Sequence, residues 1–327
     1  MTQEQQPRRR RRNRILRTLF TLVVVGVVGY FFARSLASNW DRLREQELSF
    51  GWELVLPTAL FAAAVVVSGW LWGRMTAHLA KVPVPVAEAV RVHCLSWLLK
   101  YVPGQVGSAV NKVAWASSRG LSRTLVLITF VYENAFLLIG SLVPPMLVLL
   151  VTGAVDLSGS GSASTWLLAA LSALVPLIAL TSRPVFSRLT NVLARRVLKR
   201  SEVPHEYFLS GGQAFWYQVQ FLLPRIVNGA GLAIIAAVVV DAPADTWVPL
   251  ACAYIVAGAV GILAVFVPSG IGVREAVLVL LATPYLPAEQ AIVIALVARL
   301  LATLADGLVA GLYGILTLGI RTKERDT

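Results

Sequence analysis

The sequence predicts an all-α membrane protein: a polytopic bundle of about 7–8 transmembrane helices with additional re-entrant or broken half-helices. Three observations carry this expectation. Of the 327 residues, 57% are hydrophobic and only 14% charged, whereas soluble domains carry roughly 25% charged residues. The mean hydropathy is +0.72, and the apolar residues arrive in blocks close to the ~20 that a helix needs to cross a bilayer. Finally, one helix-breaking phrase occurs twice within apolar sequence. It reads Val102-Pro103-Gly104-Gln105-Val106-Gly107 and then Val267-Pro268-Ser269-Gly270-Ile271-Gly272.

The elements follow in order. Residues 1–14 form a basic tail containing Arg8 to Arg12 and Arg14. The first span covers 15–33. A signal peptide with a weak cleavage site at 35–37 is the alternative, but the apolar run exceeds the 7–15 residues usual for one. A second span covers 54–73. Residues 86–102 and 108–119 are half polar, with Glu88, Arg91, Lys100, Asn111 and Lys112. Neither is long or apolar enough to cross alone, so a pair of half-helices that dips in and returns is expected. A long span at 124–151 is interrupted by Pro144-Pro145, and another follows at 166–180. The basic stretch 183–206 reads as a surface helix. A span at 208–240, kinked at Pro224, precedes one at 247–266. After the second break, 271–283 forms a helix of 13 residues, about 20 Å long. Residues 288–318 close a single membrane domain (15–320), leaving 321–327 as a basic tail.

Charge distribution orients the bundle. The net charge of +12 lies in runs that abut apolar spans. Such runs set topology and contact anionic lipid, which argues against a nucleic-acid partner. Both tails, the Lys81/Arg91 region and the loop 183–206 are expected in the cytoplasm of a bacterial cell, with the spans in its inner membrane. The loops at Asp156, at Asp241/Asp245 and at 283–289 face outward. This works with eight spans if 271–283 crosses. A re-entrant 271–283 would leave the C-terminal tail outside, against the rule. Arg34, Arg42 and Arg44, placed outside, also run against it.

Several chemistries are excluded. Leu209-Ser210-Gly211-Gly212-Gln213 matches the signature of ABC transporters, but no G-x-x-x-x-G-K-[ST] accompanies it, so the match is read as chance. No hydrolase constellation or paired-cysteine metal site occurs. Cys94, Cys252 and the three histidines are scattered, so no metal and no cofactor is expected, and the thiols read as buried and free.

What remains is a set of ionisable residues inside apolar segments: Glu133, Arg225, Arg274, Glu275, Arg299 and Asp306. A charge at the membrane centre costs about 2.5–3.5 kcal/mol on insertion scales, so these residues should face the interior and pair. Proline breaks a helix because it lacks the N–H and clashes with the preceding turn. Such breaks at membrane depth are tolerated only where protein buries them or they line a cavity, and paired breaks in two halves point to a transporter's binding site. Free N–H groups at the following helix N-termini favour an anion, and Lys112 and Arg274 follow within five residues. The predicted headgroup site therefore comprises Lys100, Pro103, Gly104, Gly107, Lys112, Pro268, Gly270, Gly272 and Arg274. Glu133, Glu275, Arg299 and Asp306 line or brace it. The pairs Gly69/Gly73 and Gly307/Gly311 read as helix-packing positions.

The phrase from Val267 to Glu275, VPSGIGVRE, resembles the most characteristic motif of the flippase-like transmembrane domain of lysylphosphatidylglycerol synthases. The last span, AIVIALVARLLATLADG with Arg299, is similar to that family's arginine-bearing final helix. YVPGQVGSAVNKVAWASSRG resembles its first motif, P-G-x-x-G followed by an acidic residue, although Ser108 stands here in place of the acid. The resemblance implies a polytopic inner-membrane protein that moves lipids between leaflets, without the synthases' aminoacyl-transfer domain. The expected ligand is an anionic phospholipid or a polyprenyl-linked lipid. A non-catalytic partner of a glycosyltransferase or lipid-modifying enzyme is the alternative. A membrane-embedded transferase is a third, for which no base or activated-donor site stands out.

Overall fold

The computed structural model describes residues 51–101, 106–152, 181–198, 203–263 and 272–323. Among them there is no strand. The spans expected at 15–33 and 166–180, the candidate cleavage site, Arg34, Arg42, Arg44, Pro103, Gly104, Pro268 and Gly270 lie outside the described residues. The helices are α1 (Val55–Ala80), α2 (Val86–Leu98), α3 (Val106–Ser118), α4 (Arg123–Val151), α5 (Arg183–Leu198), α6 (Gly211–Gln220), α7 (Leu223–Val239), α8 (Trp247–Leu263), α9 (Val273–Ala282) and α10 (Ala288–Lys323). Within the described residues, five segments are long and apolar enough to cross a membrane: Trp52–Ala80, Arg123–Val151, His205–Val239, Ala244–Leu263 and Ala288–Gly319. The protein is a multi-pass helical membrane bundle.

Side-chain pairs fix the direction of each helix. Gly69 and Gly73 let α1 lie close against α2, where an added Cβ on Gly69 would meet His93 Cβ at 2.8 Å and one on Gly73 would collide with Ala89. These pairings run antiparallel. α2 returns along α3, with Trp115 donating to Glu88 and Asn111 to Val92 O and Ser96 Oγ. α3 runs antiparallel to α4 through Lys112 with Glu133 and Ser117 with Arg123. α7 and the preceding α6 run opposite to α1: Gly231 faces Phe61, Gln220 accepts from Arg74, and Tyr217 meets His78. α8 runs back along α7, with Ile255 and Ala251 at Gly229. α10 is antiparallel to α2, because Trp97 and Lys100 reach Asp306 while Val90 and Cys94 pack with Val309. α9 is antiparallel to α10, with Glu275 at Arg299.

These directions define an inverted repeat. α1 to α4 alternate in direction, and α7 to α10 alternate with every direction reversed. The two halves also correspond in sequence: Gly107 and Gly272 stand 165 residues apart, as do the first residues of α4 and α10, Arg123 and Ala288. α2 and α3 form a hairpin of half-length helices, each about 20 Å long, that enters from the end carrying Lys81, Arg119 and Arg183. α8 and α9 form the second hairpin, which enters from the opposite end. Each leading arm packs across the divide: α2 against α10 and α8 against α4. The expectation of half-helices thus holds for the first break and extends to the second.

This arrangement decides between the two courses left open for residues 271–283. α9 has 10 residues, about 15 Å at 1.5 Å per residue, too short for the ~30 Å core. It turns back toward the end where Tyr285 meets Thr152. α8 and α9 therefore make one excursion, and α10 carries the chain to the basic end without an eighth crossing at α9. Among the described residues the opposite end holds Asp241, Asp245 and Glu289 but no lysine or arginine.

Local chemistry explains further departures. α4 runs uninterrupted through Pro144 and Pro145. Only two ladder bonds are lost, and Leu142, Met146 and Leu149 hold this stretch in the core. The span expected at 208–240 is two helices. Pro224 opens α7 rather than kinking a continuous helix, at a position where its missing N–H has no intrahelical partner to lose. The LSGGQ phrase is a helix start: Ser210 N donates to Gln213 Oε1 at 2.9 Å and Gln213 N to Ser210 Oγ at 3.4 Å, a reciprocal capping box. Cys94 and Cys252 are buried and free. α5 carries an exposed apolar stripe, Val185, Leu189 and Val192, as a surface helix does.

The core has two main apolar clusters. One gathers the Asp241 end of the bundle around α8 and α10, and the other the basic end around α1, α4 and Tyr217. Gly307 and Gly311, unlike Gly69 and Gly73, face open space, so the second pair packs nothing among the described residues. Gly73→Leu should therefore cost about 1–3 kcal/mol through overpacking, and Gly307→Leu no more than about 0.5 kcal/mol. Thermal unfolding of both variants in detergent checks the contrast.

Candidate functional site

Where the apolar clusters meet, three ionisable side chains form a knot. Glu133 on α4 receives a hydrogen bond from Lys112 Nζ on α3, and its other oxygen lies 3.0 Å from His93 Nδ1 on α2. Lys112 is 1% exposed, Glu133 2% and His93 5%. The Lys112 ammonium also sits 4.2 Å from the Trp72 ring centroid and 5.4 Å from that of Phe130, so aromatic faces supply attraction that water would otherwise give. Trp72 is fixed in turn by its Nε1 donating to Thr129.

A second group lies at the tips of the two hairpins. Lys100, just past α2, pairs with Asp306 on α10 at 2.8 Å and stands 4.1 Å over the Trp97 ring. Trp97 donates its indole N–H to the same carboxylate at 2.7 Å. Glu275 ties α9 to α10: its Oε1 lies 3.6 Å from Arg299 Nε, while its Oε2 accepts from Gly272 N at 2.7 Å. Gly272 has φ +84, a conformation that glycine adopts without steric cost. The α9 N-terminus therefore already holds a carboxylate of its own, which qualifies the expectation that both breaks expose open N–H groups.

Two guanidiniums in this group have no carboxylate partner among the described residues. Arg274 lies over the Tyr254 ring at 4.3 Å. Arg225, on the first turn of α7, is 8% exposed, and its Nε has no hydrogen-bond partner. Arg225 faces Arg274, Tyr254 and His93 closely enough to act on them electrostatically. Arg274 and Arg299 act in the same way on Lys100 and Tyr254. Among the described residues the group thus holds Lys100, Arg225, Arg274 and Arg299 against two acids, Asp306 and Glu275. Beside it, α9 and α10 enclose a cleft of about 510 Å³, open to the surface and lined by Val279, Leu280, Ile292 and Leu296, with Glu275 at its inner end.

The structure redistributes the residues singled out from sequence. Lys112, grouped there with the headgroup set, belongs with Glu133. Lys100, Arg274, Glu275, Arg299 and Asp306 come together, and Gly272 supports them. Gly107 packs near the Leu99 side chain. Sequence reasoning left His93, Trp97, Arg225 and Tyr254 out of the site. Arg225 carried a readable signal, an arginine inside an apolar span; the other three carried none without the fold.

The two halves use the same clamp with opposite signs. In the first, the acid (Glu133) is on the long helix and the cation (Lys112) on the half-helix. In the second, the cation (Arg299) is on the long helix and the acid (Glu275) on the half-helix. Breaking a buried pair typically costs about 3–5 kcal/mol, while replacing both partners by apolar groups is near neutral. Glu133→Gln should therefore destabilise the protein by about that amount, and Glu133→Gln with Lys112→Met should recover most of it. Unfolding midpoints in detergent check the pair.

Residues 16–310 match the family described as the lysylphosphatidylglycerol synthase TM region. No curated protein matches the chain significantly. The match spans nearly the whole described bundle, including both hairpins, the buried knot and the arginine group at their tips, and the chain belongs to this family.

Proposed function

We propose that the protein is a lipid translocator of the bacterial inner membrane that moves an anionic phospholipid, or a polyprenyl-linked lipid with a phosphate, between leaflets. The observation that carries this reading is the pair Arg225 and Arg274, buried or half-buried in the bundle without a carboxylate partner among the described residues. An uncompensated cation in a low-dielectric interior costs several kcal/mol. A phosphate brought in with a lipid compensates both at once, and guanidinium forks fit phosphate oxygens in bidentate fashion. The ligand is anionic because the group carries more cations than acids.

Two further features support movement rather than static binding. Hairpins that enter from opposite ends and meet at one site suit alternating access in an inverted repeat. The α9–α10 cleft gives an acyl chain a lateral path ending at Glu275, so the chains stay in the bilayer while the headgroup crosses. The family is named for the membrane part of a phospholipid-modifying synthase, which supports a lipid ligand. In this reading Arg225, Arg274, Arg299 and Lys100 hold the phosphate, while Glu275 and Asp306 keep the cations in place. Lys112 and Glu133 brace the first hairpin. The chain moves its ligand without chemical conversion, and its basic end is cytoplasmic by the positive-inside rule.

The test is translocation of fluorescent phosphatidylglycerol in proteoliposomes. Losing one charge-assisted contact is worth about 1.5–3 kcal/mol, so Arg225→Gln and Arg274→Gln should each slow translocation by roughly 10- to 100-fold with normal membrane insertion. Unchanged rates in both variants overturn the mechanism.

A further inference from the structure

The His93–Glu133–Lys112 knot is left over once the arginine group is assigned to the ligand. A bracing ion pair needs two members, and this knot has a third. His93 Nδ1 lies 3.0 Å from Glu133 Oε1 and 3.4 Å from Lys112 Nζ; Lys112 donates to Glu133 Oε2 at shorter range, and the nearer carboxylate oxygen, an acceptor, places the ring proton on Nδ1. The other nitrogen, Nε2, is then a bare acceptor. It is buried, and no hydrogen-bond donor among the described residues reaches it. A buried, unpaired imidazole nitrogen is an unoccupied proton position inside the bundle.

The charges facing His93 are Glu133 from α4, Lys112 from α3 and Arg225 from α7. On α10, the acid nearest the α2 face is Asp306, held by Lys100 and Trp97. On α1, Arg74 and His78 are directed to Gln220 and Tyr217. Arg225 faces both the knot and Arg274.

We propose that the knot is a proton site, and that an anionic headgroup crosses together with a proton taken up there. The proposal rests on the translocation reading above. A proton from water on one side adds to His93 Nε2, converting imidazole to imidazolium. It is released from the same atom to water on the other side, and no bond other than this N–H forms or breaks. The added positive charge acts on Arg225 and through it on the arginine group, so proton and anionic headgroup each favour the other's binding. Such coupling is reciprocal. A headgroup carrying one negative charge then moves without net charge, so its passage responds to a pH gradient and not to the membrane potential.

The test uses the full chain in proteoliposomes with fluorescent phosphatidylglycerol, a trapped pH-sensitive dye and the membrane potential clamped. A gradient of about one pH unit, acid outside, should speed inward lipid movement about threefold and the reverse gradient should slow it by a similar factor. The dye should report protons entering with the lipid. His93→Gln should remove the gradient response. If that variant does not insert, the Glu133→Gln/Lys112→Met double variant, which removes the carboxylate that fixes the ring, should remove it instead. Wild-type lipid movement that ignores gradients of both signs overturns the proton site and leaves translocation standing. Wild-type protein that moves no lipid overturns both.

Discussion

A charge within this bundle is costly until it finds a partner, because the apolar interior offers neither water nor a high dielectric to hold it. That constraint shapes the placement of the helices. Glu88 gathers Arg119 and the Trp115 indole at the base of the first hairpin, Glu133 gathers Lys112 and His93 along it, and Asp306 takes Lys100 and Trp97 at its tip. Each acid lies on a different helix from its cations, so the ion pairs set the register and rotation of half-helices too short to be fixed by spanning the membrane. Aromatic faces add attraction where acids are few, under Lys112, Lys100 and Arg274.

The inverted repeat turns these local clamps into a two-sided device. Both hairpins end beside α10, and each leading arm packs on the long helix of the other half. A rearrangement that loosened one hairpin from its partner helix would expose the tip region to one side only. The sign reversal between Lys112–Glu133 and Glu275–Arg299 means the halves are alike in geometry and unlike in chemistry. The second half concentrates arginines around Tyr254, the place the proposed function gives to a phosphate. The first half concentrates a histidine and a carboxylate, the place proposed for a proton. Arg225 lies between them.

Much of this was legible in the sequence. Composition and block length gave the membrane bundle, and each copy of the V-P-x-x-[VI]-G phrase falls between the two arms of a hairpin. The ionisable residues inside apolar segments marked the candidate site because their cost is so plain. Pairing was not legible. Lys112 and Glu133 sit 21 residues apart on separate helices, and which of several acids meets which cation depends on helix rotation, which hydropathy does not encode. The turn-back of α9 was hidden because a short apolar helix reads alike whether it crosses or returns. LSGGQ, read as a chance match, is accounted for because the same serine and glutamine spacing builds a capping box. His93 and Tyr254 were invisible because their importance comes only from the neighbours the fold brings to them.

The central claim is that the unpaired arginines are matched by an anionic lipid headgroup. Mass spectrometry of lipids that co-purify with the intact protein from a membrane of mixed composition tests it most directly. The account predicts enrichment of acidic phospholipids or polyprenyl phosphates over their bulk share, and loss of that enrichment when Arg225 and Arg274 are both replaced by glutamine. Co-purified lipid at bulk composition, the same in wild type and the double variant, would contradict it.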